Sequence, residues 1–576
     1  MTGPGRSGAV AGQTLRWPDG DRVPEPIRAG LLGPGAPFEM VREDILGTRM
    51  DVFAKRTRTL TQLLTSAAER LGDQPYLTFP DRAYTFAGVL GPVASVAAAL
   101  RDRYGVGKGD RVAIAAANSA EWVISFWAAT VLGAITVAMN GWWTGPEMAY
   151  GLELSRPTVL LGDERRLGRL SGIDHGVPTV TFPFDLEGYA PGVSLPDVEL
   201  DEDDPFLILF TSGTTGRPKG ALISHRGNIH FIQSSLLNGV AGVAITNPSA
   251  LGQPPASQPC IINASPLFHV GGLNCQVVMA AATGMHIVFP PQGKWNEETH
   301  LQLSERHRAT AWSLVPTQLW RLLDYPDLHR YDLSALATVG GGSSVWPPEL
   351  LRRLGERMPH VRPNLGMGYG STETNGLGTN LRMHWTYEHP DSIGYPAPGV
   401  EVEIREPGSR DMVDDGVVGE ICMRTPATFL GYWDNAEATA AALDDDRWYR
   451  TGDFGHVTDG FVYLEGRRRD LIIRGGENIY PAEIENRLLE HPAIAEVAVI
   501  GVPHQVLGHQ VKAFIVLHAG ATLDADGVRS FAGEALAGFK VPEHVEFIDA
   551  LPYNATGKVL KHLLEHPEAA SDFVPE

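Results

Sequence analysis

Ten consecutive residues, Thr211-Ser-Gly-Thr-Thr-Gly-Arg-Pro-Lys-Gly220, combine three glycines, four hydroxyl side chains and one lysine. Glycines let the backbone approach an anion and turn its N–H groups inward, hydroxyls donate to phosphate oxygens, and the lysine supplies charge. The stretch is not the common P-loop, which needs Gly-Lys-Ser/Thr after a four-residue gap from its first glycine; here Lys219 stands between Pro218 and Gly220. Further groups suited to phosphate or ribose recur downstream. Gly368-Tyr-Gly-Ser-Thr-Glu373 sets a hydroxyl and a carboxylate beside a glycine turn, and Tyr449-Arg-Thr-Gly-Asp453 puts an aspartate after a tight turn. Gly466-Arg467 follows, and Asn554-Ala-Thr-Gly-Lys558 carries one lysine on a loop near the C-terminus. Singly these are ordinary turns, caps and solvated charges; together, in this order, they point to a nucleotide.

Such residues need elements to place them. The apolar run Phe206-Leu-Ile-Leu-Phe210 predicts a buried strand that empties directly into the phosphate loop. Apolar strands such as Arg111–Ala115, 158–162, Cys260–Asn263, His286–Phe289 and Ala311–Val315 alternate with helical patterns, which implies α/β layers with largely parallel sheets. The uncharged run Trp122 to Met139 reads as a helix over Glu121–Leu132, a stop at Gly133 and a strand, rather than a membrane span. Near residue 400 the pattern turns to short alternating strands (400–404, 416–423, 460–464), a small β-rich subdomain. After Gly466-Arg-Arg-Arg-Asp470 a helix opening at Pro481 and strands near 497–500 and 511–517 make a compact α+β unit. Residues 1–55, rich in Gly, Pro and Arg, read as an irregular arm, and the acidic stretch 197–204 as a solvated linker.

With 576 residues, two to four folding units are expected. A 43% hydrophobic and 20% charged composition is that of a soluble globular protein, and a net charge of −21 argues against a nucleic-acid or anionic-membrane binder. Three scattered cysteines, Cys260, Cys275 and Cys422, argue against a disulfide framework or a cysteine zinc site and fit a reducing cytoplasm. The N-terminus shows no sustained apolar segment of a secretory signal.

On these motifs the chain resembles the adenylate-forming superfamily of acyl-CoA synthetases, carrier-protein adenylation domains and beetle luciferases, from about residue 56 to 562. The resemblance implies an α/β fold: a large N-terminal AMP-binding domain over 56–466, with layered α/β sheets and the β-rich subdomain, then a small mobile α+β domain over 467–576. It implies a two-step reaction in which a carboxylate attacks the α-phosphate of ATP to give acyl-AMP and pyrophosphate, and a thiol, that of CoA, then takes the acyl group. By resemblance, Thr211, Ser212, Gly213, Thr214, Thr215, Gly216 and Lys219 would embrace the β- and γ-phosphates. Glu373 would hold Mg²⁺ together with Thr211, and Thr372 would contact the α-phosphate. Asp453 would bind the ribose with Arg467 supporting it, while Gly341, Gly342, Ser343 and Tyr369 would form the adenine slot. Lys558 would reach the carboxylate and α-phosphate oxygens during adenylation only, because the small domain rotates about a hinge at Arg469 and then presents Gly475 and Gly476 to a pantetheine tunnel.

Pro266-Leu-Phe-His-Val-Gly-Gly272 resembles the segment that borders the acyl pocket. Amino-acid-activating relatives carry a Phe-Asp pair here, and Phe268-His269 leaves no carboxylate to pair a substrate amine. His269 either gates the pocket or packs, and Val270, Gly271 and Gly272 are small and apolar; an apolar acid, fatty or ring-bearing, is expected. The chain departs from the family's usual pattern at Tyr553, at Lys561-His562 and at the hinge arginine. A ligase that loads a carrier protein is the alternative, and luciferase-like oxidation or a binding-only relative a third class. Small-molecule acid, ATP and CoA are the expected partners, with no nucleic acid, no transmembrane segment and a homodimer allowed.

Overall fold

The computed structural model describes residues 12–17, 23–185, 188–211, 217–253, 257–342, 346–382, 384–467, 470–474, 477–554 and 557–565. Among these, three large sheets organise the chain. The first contains the run expected as a strand: Pro205–Thr211 lies between Ile135–Ala138, its parallel neighbour, and the antiparallel strand Lys219–Ser224. Leu207 and Leu209 point into the main core, while Ile208 and Phe210 join a second buried cluster with Ala113, Val137 and Met139. Both faces are covered, which is why this strand is continuously apolar rather than alternating. Arg111–Ala115, Val159–Asp163 and Thr179–Phe182 complete its parallel part.

Helix Ala120–Val131 is the one expected from the uncharged run. Ser119 caps its start by accepting from the Trp122 N–H, and Gly133 at φ +69° ends the turn before strand Ile135–Ala138. Every residue of this helix is buried, its two tryptophans among the largest side chains in the core. A different helix, His225–Thr246, is long and apolar enough to cross a membrane, yet 50% of its most apolar window is buried inside the protein. Its buried side carries Arg226, Asn228, His230, Ser234 and Asn238.

The second sheet has thirteen strands among the described residues. Leu365–Tyr369, Thr338–Gly341, Ala311–Ser313, Cys260–Ile262 and His286–Val288 form its parallel centre. The strands expected as a β-rich subdomain are antiparallel and extend this sheet: Ser392–Pro396 pairs on one side with Thr379–Arg382 and on the other with Phe461–Arg467. The third sheet belongs to the small C-terminal domain and joins Ile494–His504 to Gly508–Leu517, with His544–Phe547 parallel at its edge. Helix Pro481–Leu489 packs Ile484 and Leu488 into the core of that unit.

Two expectations are corrected. The arm is not irregular where it is described: Glu25–Leu32 is helical, Met40–Ile45 and Thr48–Phe53 form a hairpin, and Leu15 bridges Val402. Nor is the acidic stretch solvated throughout: Asp197, Glu199 and Asp201 are exposed, but Glu202, Asp203 and Asp204 are held in ion pairs. Arg56, its side chain 2% exposed, donates to both Glu43 and Glu202, and Arg226 grips Asp203 at 2.6 Å. Lys108 pairs with Asp204 at 2.7 Å. Burial raises the cost of the Glu202 charge, but the hydrogen bond from Arg56 and the neighbouring guanidinium groups outweigh it and lower its pKa. The carboxylates stitch the arm and the start of helix His225–Thr246 to the domain; their partners are far away in sequence, so the local run of charge could not reveal them.

Candidate active site

The phosphate loop is held by its own ends. Lys219 is the register partner of Thr211 across the antiparallel pair, so the loop leaves and re-enters the sheet at one point. Ser212, Gly213, Thr214, Thr215 and Gly216 lie outside the described residues. Arg217 covers the ring of Tyr150 at 5.4 Å, and the Tyr150 hydroxyl donates to the Pro218 carbonyl. Lys219 Nζ sits 5.0 Å from the centre of the Tyr432 ring.

Across the same cleft, strand Leu365–Tyr369 delivers its loop into a single 3₁₀ turn, Thr372–Thr374. Asn375 closes the turn at φ +57°. Glu373 is only 7% exposed, its backbone carbonyl accepts from the Phe429 N–H at 2.7 Å, and its Oε1 accepts from the Tyr432 hydroxyl at 2.8 Å. Among the described residues no cationic side chain lies within ion-pair distance of it. A nearly buried carboxylate held by one neutral donor suits a hard divalent cation that keeps most of its waters, so Glu373 fits the expected Mg²⁺. Thr211 and Thr372 line the same cleft.

Asp453 ends up in a tighter cluster than sequence suggested. Arg467 Nε donates to its Oδ1 at 2.8 Å and the Tyr369 hydroxyl to its Oδ2 at 2.6 Å, while the Asp453 N–H donates to Thr451 Oγ1. Burial and the Asp453 charge both hold the Tyr369 phenol well above its usual range, so it stays a donor. Burial opposes the Arg467 charge, but Asp453 overrides it and the net shift is upward. The antiparallel pairing of Tyr449–Thr458 with Phe461–Arg467 puts Asp453 opposite Arg467 in register.

The glycines of the expected adenine slot have a further cause. A Cβ on Gly341 would stand 1.9 Å from the Leu314 carbonyl oxygen and 3.0 Å from the Trp346 ring. One on Gly342 would stand 3.3 Å from the Gly368 carbonyl oxygen. Backbone, rather than open space, fills the place of the missing side chain at Gly341, and the close strand packing alone requires glycine there. Ser343 lies outside the described residues.

The acyl segment lines the cleft through Phe268, His269, Val270, Gly271, Gly272 and Cys275. Burial pushes the His269 imidazole down to about 4, so it is neutral near pH 7. Its two glycines differ. A Cβ on Gly272 would strike the Pro266 carbonyl oxygen at 2.3 Å, whereas nothing lies within 4 Å of the corresponding point on Gly271. Only Gly271 widens the cleft. The chain then enters a π-helical turn, Leu273–Val278, of the kind that often marks functional sites. It brings Cys275 Sγ to 3.3 Å from the Cβ position of Gly376, with Phe231 and Val270 beside it.

Lys558 comes from the small domain and lines this cleft. Its N–H donates to Asn554 Oδ1 at 2.9 Å, and Asn554 N–H donates to its carbonyl, closing a tight loop. Gly557, at φ +72°, rests on the large domain: its Cβ position is 2.7 Å from Val315 Cγ2 and 3.1 Å from Thr317 Oγ1. Tyr553, where the family pattern often has arginine, bonds Glu496 on the neighbouring strand. The hinge candidate Arg469 and the tunnel candidates Gly475 and Gly476 lie outside the described residues.

The structure thus gathers the described Thr211, Lys219, Gly341, Gly342, Tyr369, Thr372, Glu373, Asp453, Arg467 and Lys558 around one cleft, which His269, Val270, Gly271 and Gly272 also line. Sequence reasoning missed Tyr432 and the Tyr369–Asp453 link, neither of which has a local signature.

Residues 64–433 match the model of the AMP-binding enzyme family, and residues 483–558 match that of the AMP-binding enzyme C-terminal domain. The indoleacetate–CoA ligase of Aromatoleum aromaticum is 35% identical over 514 residues, 87% of this chain and 96% of that protein. A long-chain-fatty-acid–CoA ligase of Bacillus subtilis is 31% identical, covering 90% of this chain and 96% of the relative. The o-succinylbenzoate CoA synthetase of Bacillus subtilis, solved with its acyl-adenylate intermediate, superposes with a TM-score of 0.75 at 30% identity, covering 87% of this chain and 97% of that one.

Proposed function

Because the chain belongs to the AMP-binding enzyme family, we propose that its cleft joins an apolar carboxylic acid, fatty or ring-bearing, to ATP and passes the acyl group to CoA. The enzyme class is an AMP-forming acid–thiol ligase, with ATP, Mg²⁺ and CoA as its reactants and ion. The acid is read from one observation. The acyl wall of Phe231, His269, Val270, Gly271, Cys275 and Gly376 carries no charged group, because burial keeps His269 neutral. A substrate ammonium would be buried there without a partner. Relatives named for indoleacetate and for long-chain fatty acids support an apolar acid without choosing between ring and chain.

In this reading the loop over 211–219 and Lys219 hold the β- and γ-phosphates, and Thr372 orients the α-phosphate. Asp453, fixed by Tyr369 and Arg467, presents its carboxylate to the ribose. Glu373, with Thr211, would hold Mg²⁺, whose charge would neutralise the phosphates. Lys558 brings positive charge to the carboxylate and α-phosphate as the two anions meet, so catalysis is largely positioning and electrostatic stabilisation. Departure of pyrophosphate would be followed by rotation of the small domain about Arg469, withdrawing Lys558 and bringing Gly475 and Gly476 to the pantetheine path.

An acid panel tests the pocket. Pyrophosphate release should be promoted by indoleacetate or by fatty acids, and amino acids of similar size should promote at least about tenfold less. An amino acid as the best substrate would overturn the reading of the acyl wall.

A further inference from the structure

Tyr432 stands between the two groups that must act on the triphosphate. Its hydroxyl donates to Glu373 Oε1 at 2.8 Å, and its ring lies 5.0 Å from Lys219 Nζ. The backbone around it is anchored on both sides. Strand Gly431–Tyr432 pairs with Lys219–Ser224, setting Tyr432 opposite Ala221, and the Trp433 N–H donates to the Gly220 carbonyl at 2.7 Å. Upstream, the Phe429 N–H holds the Glu373 carbonyl, while Arg447, itself at φ +59°, donates to the Thr428 and Phe429 carbonyls. The Tyr432 N–H is held in turn by Thr439 Oγ1 at 2.8 Å.

We propose that Tyr432 is a positioning residue that fixes the Glu373 carboxylate for the divalent cation and steadies Lys219 at the mouth of the phosphate loop. With Oε1 held by a neutral donor, rotation of the Glu373 carboxylate is restrained where it would hold the ion. Outer partners of this kind orient a ligating carboxylate, and their loss typically weakens metal affinity about 10–100-fold. The ring acts separately from the hydroxyl. It offers a π face to Lys219, whose Nζ lies 5.0 Å from the ring centre, and so restricts where the ammonium sits.

This inference rests on the assignment of Glu373 to the cation, and the experiment separates the two. Mn²⁺ serves as the probe, titrated by electron paramagnetic resonance onto the full-length protein with α,β-methylene-ATP present. Tyr432→Phe keeps the ring and removes the hydroxyl. It is expected to weaken Mn²⁺ binding about tenfold and to raise the Mg²⁺ concentration needed for half-maximal pyrophosphate release by a similar factor, more than it lowers the rate at saturating Mg²⁺. An unchanged Mn²⁺ affinity overturns the positioning role. Glu373→Gln is measured alongside. If it too leaves Mn²⁺ binding intact, the assignment of Glu373 is the one that fails; if it abolishes binding while Tyr432→Phe does nothing, only the role of Tyr432 falls.

Discussion

Lys558→Ala is expected to lower acyl-adenylate formation by about 10²–10³-fold, with thioester formation from supplied acyl-AMP and CoA close to the wild-type rate. The geometry explains the asymmetry. Lys558 belongs to the small domain, but its loop rests on Val315 and Thr317 of the large one, so it reaches the cleft only while the domains hold this arrangement. The loop is built for placement. Asn554 fixes the Lys558 N–H, the Gly557 N–H donates to the Asn554 carbonyl, and Tyr553 bridges Val559. A charge on a lysine whose backbone is pinned beside the cleft acts on the developing anion with little reorganisation. Single-turnover rates of the two half-reactions, measured separately, check this. Equal losses in both would mean that Lys558 serves the fold or both steps, and the assignment would be wrong.

Glu373→Gln is expected to reduce pyrophosphate release by about 10²-fold at ordinary Mg²⁺, with part of the loss recovered at high Mg²⁺. The amide preserves shape and still accepts from Tyr432, so the variant removes charge while leaving the turn intact. The carboxylate is 7% exposed, and among the described residues it has no cationic partner within ion-pair distance. Without the ion its buried charge is held only by a phenol, an arrangement better explained by a ligand than by folding stability. Stability should therefore change little or rise, while activity falls. A variant with wild-type Mg²⁺ dependence would remove Glu373 from the metal site.

What sequence disclosed and what it hid divide by range along the chain. Strand 206–210 was legible because burial on both faces writes itself as a continuous apolar run. The helix after Ser119 was legible because its cap, its apolar span and Gly133 all sit within fifteen residues or so of one another. The motifs placed themselves on loops and turns because their glycines and hydroxyls are turn formers as well as ligand binders. The ion-pair network of Arg56, Glu43, Glu202 and Arg226 was hidden: a local charge run looks solvated until its distant partners are known. Tyr432 was hidden for the same reason, since only the pairing of 219–224 with 431–432 brings it beside Glu373. The glycines at 341 and 272 were seen, but their cause was not; what a missing side chain avoids becomes visible only when the opposing backbone is in place.

The most direct test of the central claim is a product balance. The protein is incubated with ATP, Mg²⁺ and a responsive apolar acid, with and without CoA, and pyrophosphate, AMP and acyl-CoA are measured together. The account predicts one acyl-CoA and one AMP per pyrophosphate over many turnovers when CoA is present, and about one pyrophosphate per active site when it is absent. Sustained pyrophosphate release with no acyl-CoA in the presence of CoA would contradict it.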